Sequence, residues 1–331
     1  MSQAFAIIET GEPDVLTKID VPTPKPTTDK ILIRNHASAV NFIDTIMRRG
    51  EMPEGMMPEL PHVPGIEGAG VIEALGNGVE GLNVGDRIVW MGPIGAGGYG
   101  THSVVGQSYV TKIADDIDFT TATALPVNAM TAWHMMVNLG GAKAGDTVLV
   151  HAAAGGVGTM ALQIAKNRGL TTIASASADK HEYAKAQGAN HVIDYRSEDV
   201  VARIKEITNG KGVDITLNPI SGESLKNDLE VLSPLGTAVL FGFLAGPPAG
   251  NFADDLAKHF QKSIAVRMSD IYTYYDNRSD EFNGNLVEIF NLLAQGVLKS
   301  QITSLSLEEI AEAHRRLEAG ETTGKLVLTT E

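Results

Sequence analysis

The chain has 331 residues, enough at roughly 150 residues per domain for about two domains. Its 26 Lys and Arg stand against 40 Asp and Glu, a net charge of −14 with the basic residues scattered, which argues against nucleic acid or an anionic membrane as a general partner. Cysteine is absent, which excludes disulfides, thiolate zinc sites, iron–sulfur clusters and a cysteine nucleophile, and no run of about 18 apolar residues is present to cross a membrane. Residues 1–9 lack the basic and apolar regions of a secretory signal, so a cytoplasmic location is expected.

In chain order, short β patterns at 4–8, 30–35, 70–74, 86–89 and 101–105 are separated by breakers such as Pro22, Pro24 and Pro26. They predict an irregular all-β module over 1–125. Within it, Gly95-Ala96-Gly97-Gly98-Tyr99-Gly100 matches G-x-G-x-x-G but leads into a strand pattern, so it is read as a flexible loop and one wall of a substrate cleft. From about 126 the rhythm changes. β-branched runs at 147–152, 171–175, 191–194, 213–217, 237–241 and 264–268 alternate with helical patterns at 157–168, 179–187, 198–208, 222–232 and 254–262. Six such strands with five crossovers predict a doubly wound parallel sheet. After 270 a helical stretch at 279–295 precedes a capped helix at 306–318 and a strand at 325–329. That last strand has no sheet of its own and is expected to return to the first module. The expected organisation is therefore 1–125 plus 270–331 around an inserted 126–269.

The turn from His151 to Gly158, with Gly155, Gly156 and Val157 at its end, joins a strand to an amphipathic helix. That is the setting in which backbone N–H groups and the helix dipole hold a pyrophosphate; a turn used only for packing is the alternative. No carboxylate ends the second strand. Ser175, Ser177 and Lys180 offer donors and a positive charge to a 2′-phosphate, which favours NADP(H) over NAD(H), and Asp179 is read as a helix cap. His134 and His151 lie in apolar patterns and are read as packing residues.

Asn41-Phe42-Ile43-Asp44, Pro64 to Val71, Gly85-Asp86-Arg87, His151 to Gly158 and Val192 to Tyr195 together resemble the medium-chain dehydrogenase/reductase superfamily, and within it the zinc-free NADPH:quinone oxidoreductase (zeta-crystallin-like) group. The resemblance spans essentially the whole chain. It implies an α/β protein in which a GroES-like irregular β domain carries an inserted Rossmann domain with a doubly wound parallel six-stranded sheet. It also implies no metal: Asn41 and Ile66 stand where zinc-dependent relatives carry Cys and His, and neither side chain serves zinc. Glu67 persists and is read as structural.

Carried over residue by residue, the resemblance places Asn41 and Thr131 near the nicotinamide and the substrate carbonyl. Gly155, Gly156 and Val157 fall on the pyrophosphate, Ser175 and Lys180 on the 2′-phosphate, Tyr195 at the adenine-ribose end, and Phe241 and Gly242 beside the nicotinamide ribose. Asp44 is a weak proton-donor candidate, with a structural salt bridge or water as alternatives. Two departures stand out: Ile46 replaces a frequent tyrosine, and Gly320 lies near where a basic residue often precedes the terminal Gly-Lys strand. The expected reaction is hydride transfer from NADPH to a quinone. The alternatives are reduction of an enone or enal on the same scaffold, or a non-catalytic NADPH-binding protein. A homodimer through the sheet edge at 264–268 is also expected.

Overall fold

The structure is a computed structural model that describes residues 1–330. Its strands are β1 (Ser2–Ile7), β2 (Leu16–Val21), β3 (Lys30–Ala39), β4 (Glu67–Leu75), β5 (Arg87–Met91), β6 (His102–Gly106), β7 (Val110–Lys112), β8 (Thr147–Val150), β9 (Thr171–Ala176), β10 (His191–Asp194), β11 (Val213–Asn218), β12 (Leu232–Leu240), β13 (Ala265–Met268), β14 (Ile302–Ser306) and β15 (Lys325–Thr329). Its helices are α1 (Phe42–Arg49), α2 (Phe119–Thr123), α3 (Pro126–Trp133), α4 (Gly156–Asn167), α5 (His181–Gln187), α6 (Val200–Ile207), α7 (Glu223–Val231), α8 (Phe252–Lys258), α9 (Ile271–Asn277), α10 (Ser279–Ala294) and α11 (Ile310–Glu318). Two compact units result, one of Met1–Val127 with the segment from Ser300 onward, the other Asn128–Lys299.

In the first unit a seven-stranded sheet runs β14-β15-β3-β4-β5-β7, with β6 also on β3, and β1 pairs with β2 as a separate ribbon. The terminal strand does return to this unit. Val327 pairs with Ala39, so β15 lies antiparallel to the end of β3, just before Asn41. Ile31, Ile33, Ile72, Ile88, Trp90 and Val105 form one core of the sheet. A second core joins Phe5, Ile7, Val40, Met47, Tyr99, Ile310 and Leu328. Met47 belongs to α1, a helix the sequence reading did not expect in an all-β module. Gly50, at φ +75°, closes α1 in the left-handed conformation that favours glycine.

In the second unit six parallel strands run β10-β9-β8-β11-β12-β13, the doubly wound sheet expected. Leu149, Ile173, Ile193, Ile204, Val213, Leu225 and Leu240 fill one core, as strands covered on both faces require. The unit also takes residues 270–299, which the sequence reading assigned to the β domain. The reason is aromatic packing: Tyr274 stacks on His134 with ring centroids 4.0 Å apart, and Phe282 meets Tyr275 edge-on at 5.2 Å.

Candidate active site

Apart from Thr131 on α3, the residues singled out in the second unit lie at or just beyond the carboxyl end of a strand, and in a parallel sheet those ends share one edge. After β8 the chain turns at Ala152, whose φ is +49°. The Ala153 N–H donates to Ser175 O at 3.2 Å, and the Gly155 N–H to Ala152 O at 3.0 Å. Helix α4 then begins at Gly156. Its first-turn N–H groups, those of Gly156, Val157 and Gly158, have no intrahelical acceptor.

A Cβ on Gly155 would meet only Ala152 O within 4 Å, at 3.3 Å, so its face is nearly bare of protein. One on Gly158 would stand 2.6 Å from both Ala152 O and Ala153 Cα, so helix and strand approach too closely for any side chain. The Asn128 amide lies against Gly156, where a Cβ would come within 2.2 Å of its Nδ2. A bare glycine turn, first-turn donors and a helix dipole suit a diphosphate.

The turn is braced from below. His151 Nε2 lies 2.7 Å from Asp228 Oδ1, and Asp228 Oδ2 accepts from Thr216 Oγ1 at 2.9 Å and Asn218 Nδ2 at 2.7 Å. His151 is thus the buried, satisfied histidine its apolar setting suggested. Asn218 Oδ1 in turn accepts from the Ile220 and Ser221 N–H groups, which fixes the loop after β11. Beyond β12, the Phe241 N–H donates to Asn218 O at 3.1 Å. A Cβ on Gly242 would stand 2.9 Å from Pro219 O, so glycine is needed for the two chains to run this close.

At the end of β9 the final residue is Ala176 and Ser175 is buried. A short helical turn, Ala178–Lys180, precedes α5 with Ser177 at its amino end. Asp179 is therefore not the cap the sequence suggested. It lies inside that turn, and a hydrogen bond from Ser177, then the charges of Lys180 and Arg196, hold its pKa below the usual carboxylate range. Tyr195, half-exposed beyond β10, has the Arg196 guanidinium 5.6 Å from its ring centroid. Arg196 was missed in the sequence. It is one residue from Tyr195, and the strand end it follows is the neighbour of the one carrying Ser175. Thr131 is half-buried on α3.

In the first unit Asn41 and Asp44 flank the start of α1. Asn41 Nδ2 donates to Glu67 Oε1 at 2.9 Å, and Lys325 Nζ donates to Asn41 Oδ1 at 2.6 Å. Lys325 also lies 2.7 Å from Glu67 Oε1, and Glu67 Oε2 accepts the Val127 N–H at 2.9 Å. Glu67 is the structural residue expected, and Lys325 is a second residue that sequence reading missed. Asp44 is wholly buried and accepts from the Asn41 N–H at 2.9 Å, the Gly65 N–H at 3.1 Å and Tyr99 Oη at 2.9 Å. This arrangement supports the structural alternative for Asp44, as an anchor between α1 and the loop at Gly65. Tyr99 belongs to the second glycine match. That loop is pinned, not flexible: the Gly98 N–H donates to Gly65 O and the Tyr99 N–H to Pro64 O, both at 2.9 Å.

Burial pushes the Asp44 carboxyl up to about 6, against the pull of its hydrogen bonds. His314, whose Nε2 lies 3.2 Å from Tyr99 Oη, is pushed the other way, down to about 3, by burial and then by the Arg48 and Arg49 charges. The two act oppositely on stability. Unfolded, His314 takes up a proton below its ordinary 6.5 while the folded ring stays neutral, so its contribution is lost as pH falls. Folded Asp44 keeps a proton up to about 6 that the unfolded chain releases near 3.8, so its contribution grows as pH falls. Tyr99 gives its one hydroxyl proton to Asp44, so His314 Nε2–H is the donor to Tyr99 Oη; His314→Gln keeps a donor there and removes the first effect. Relative to the parent it is expected to gain about 2 kcal/mol on going from about pH 7.5 to about pH 5. Denaturant unfolding at both pH values measures this, and a pH-independent difference would contradict it.

Residues 27–115 match the family model described as an alcohol dehydrogenase GroES-like domain, and residues 156–290 the one described as a zinc-binding dehydrogenase. The quinone oxidoreductase of Pseudomonas aeruginosa is 33% identical over 331 residues, covering 99% of both chains. The 2-haloacrylate reductase of a Burkholderia species is 32% identical over 334 residues and again covers 99% of each. Among solved structures, the Escherichia coli quinone oxidoreductase complexed with NADPH superposes with a TM-score of 0.89 at 30% identity, covering 99% of each chain.

Proposed function

The chain belongs to the quinone oxidoreductase group of the medium-chain dehydrogenase/reductase superfamily, and from that premise we propose that it reduces a quinone with NADPH. The observation that carries the reading is the row of residues along the carboxyl edge of the parallel sheet, fitted for a dinucleotide with a 2′-phosphate. Gly155, Gly156 and Val157 hold the diphosphate through backbone N–H groups. Ser175, Lys180 and Tyr195, joined by Arg196, receive the adenosine end, while Phe241 and Gly242 line the nicotinamide end. NADPH, when bound, supplies the hydride.

The chain's own work is polar and positional. Charge that develops on the acceptor oxygen meets neutral donors, the Asn41 Nδ2–H and the Thr131 hydroxyl. Water delivers the completing proton, since Asp44 is spoken for by three donors. The test is a turnover screen of NADPH and NADH against quinones, enones and enals. Quinone reduction with NADPH is expected, and NADPH binding without turnover of any acceptor would overturn the reading in favour of a non-catalytic binder.

A second reading, reduction of an activated alkene, is favoured by the equal likeness to a 2-haloacrylate reductase and by hydrocarbon at Ile46. Turnover of 2-haloacrylates or enones with quinones left untouched would select it.

Lys180→Glu sets a carboxylate where the 2′-phosphate is received. The ratio of kcat/KM for NADPH over NADH is expected to fall about a hundredfold, with the NADH value within about threefold of the parent. An unchanged ratio would remove Lys180 from the phosphate site.

For assembly, among the described residues β13 is hydrogen-bonded only to β12, and Met268 and Phe260 are among the most exposed apolar side chains. These features support a proposed two-fold dimer through this edge. Sedimentation at the mass of a single chain would contradict it. A cytoplasmic location is supported by the cysteine-free sequence, and among the described residues no helix is long and apolar enough to cross a membrane.

A further inference from the structure

Lys325 opens β15, yet its ammonium is buried beside two side chains far away in sequence. Gly324, at φ +68°, makes this possible: a Cβ there would stand 2.1 Å from Gln301 O, so only glycine lets the chain turn in at this point. The Lys325 N–H then donates to Gln301 O at 2.8 Å, and the side chain runs to Asn41 and Glu67.

An asparagine amide has two nearly isosteric ends, one accepting and one donating. Here both partners select the same orientation. An ammonium has only donors, so the Asn41 atom 2.6 Å from Lys325 Nζ must be the carbonyl oxygen. A carboxylate has only acceptors, so the atom 2.9 Å from Glu67 Oε1 must be the nitrogen. The reversed amide would set carbonyl against carboxylate and NH2 against ammonium, among residues that are all buried. One Nδ2–H is spent on Glu67. The other has only Ala39 O at 3.4 Å, a long and weak contact.

We propose that Lys325 is a positioning residue for the reaction: it locks and polarises the Asn41 amide, so that Asn41 offers the acceptor an N–H and never its carbonyl. The ammonium draws density from the amide oxygen and makes the remaining N–H a stronger donor to developing negative charge. Glu67 holds the other end of the amide and neutralises the lysine. This inference rests on the assignment of Asn41 to the acceptor oxygen.

Lys325→Met alone strands the buried Glu67 charge, so the informative variant is the double substitution Glu67→Gln with Lys325→Met, which removes both charges. It is expected to lose about thirtyfold in kcat while its NADPH dissociation constant, read by fluorescence titration, stays within about twofold. In an Asn41→Ala background the same double substitution should produce no further loss of kcat. A folded double variant with parental kcat, or one that loses turnover and NADPH binding alike, overturns the positioning role.

A readout independent of turnover uses protein labelled with 15N at asparagine. In the wild type the Asn41 side-chain amide should give a downfield, slowly exchanging Nδ2–H signal that the double variant lacks. A fast-exchanging signal in the wild type overturns the locked orientation even if the variant fails to fold. Wild-type protein that reduces no acceptor yet shows the protected signal instead sinks the functional reading and leaves the lock standing.

Discussion

Gly158→Val is expected to abolish NADPH binding and to unfold the second unit at moderate temperature. The first Cβ atom alone would stand 2.6 Å from Ala152 O, 2.6 Å from Ala153 Cα and 2.7 Å from Ala153 O. All three are backbone atoms, so no rotamer change relieves the clash; α4 itself must move off β8. That helix buries Met160, Ala161, Leu162, Ile164 and Ala165, and opening its contact with the sheet exposes them. Overpacking commonly destabilises by about 1–3 kcal/mol, and the displaced helix adds lost burial, so a total above about 4 kcal/mol is expected. The first-turn N–H groups move with the helix, which removes the proposed diphosphate site as well. Gly284→Ala is the control: nothing lies within 4 Å of its Cβ position inside α10, and a gain of about 0.5–1 kcal/mol is expected from helix propensity. Thermal melts with and without NADPH read both. A Gly158→Val protein that melts with the parent and is still stabilised by NADPH would contradict the packing argument.

The parallel sheet was legible because its strands are covered on both faces. The runs of β8 and β9, Thr147–Val150 and Thr171–Ala176, are buried along nearly their whole length, which leaves little reason for charged interruption. β12 was misjudged at its start, which lies at Leu232 rather than 237. Before residue 237 only Leu232 pairs with β11, and Leu235, at φ +67°, keeps the irregular turn that Ser233, Pro234 and Gly236 signal. In the first unit β2, Leu16–Val21, alternates too weakly to be seen, with Thr17, Lys18 and Asp20 turned to solvent. α1 was hidden for the opposite reason: its buried face includes Asp44, Thr45 and Arg48, polar residues that break an apolar stripe. Residues 271–277 carry no helical signal, because Ile271, Tyr272, Tyr274 and Tyr275 have no clear period, and packing around Phe282 and His134 makes them a helix.

The site divides along the same line. The glycine turn shows itself locally, because strand, glycines and helix follow one another within a dozen residues and each is needed by its neighbour. Lys325 does not. Its partner Asn41 is separated from it by 284 positions, and only the pairing of β15 with β3 joins them. The final strand, expected to return to the first module, was the available clue, since it must bring its first side chain in among residues of that module. Arg196 was obscured differently, by adjacency to an aromatic residue that had already been given the role.

Asn41→Ala should be the most damaging single change to turnover that leaves the fold intact. It deletes the Nδ2–H donor while sparing the rest of the cluster. The Glu67–Lys325 pair at 2.7 Å keeps its own neutralisation, and Asp44 still accepts the backbone N–H of residue 41, which alanine retains. Stability should therefore fall by only about 1 kcal/mol, the size of a lost hydrogen bond. Loss of a donor to developing oxyanion charge is worth about 3 kcal/mol, or roughly a hundredfold in kcat, with acceptor KM changed much less because the interaction strengthens only as charge builds. Asn41→Asp is the sharper comparison. It sets a second carboxylate against Glu67 and replaces the donor by an acceptor, so turnover should fall further than with alanine although the side chain is nearly isosteric. Thr131→Val removes the other candidate hydroxyl at similar volume and should produce the smaller defect of the two donors, since no buried charge polarises that hydroxyl. Steady-state kinetics on the three variants decide the matter: an aspartate variant as active as the parent would show that the group at position 41 does not donate to the acceptor.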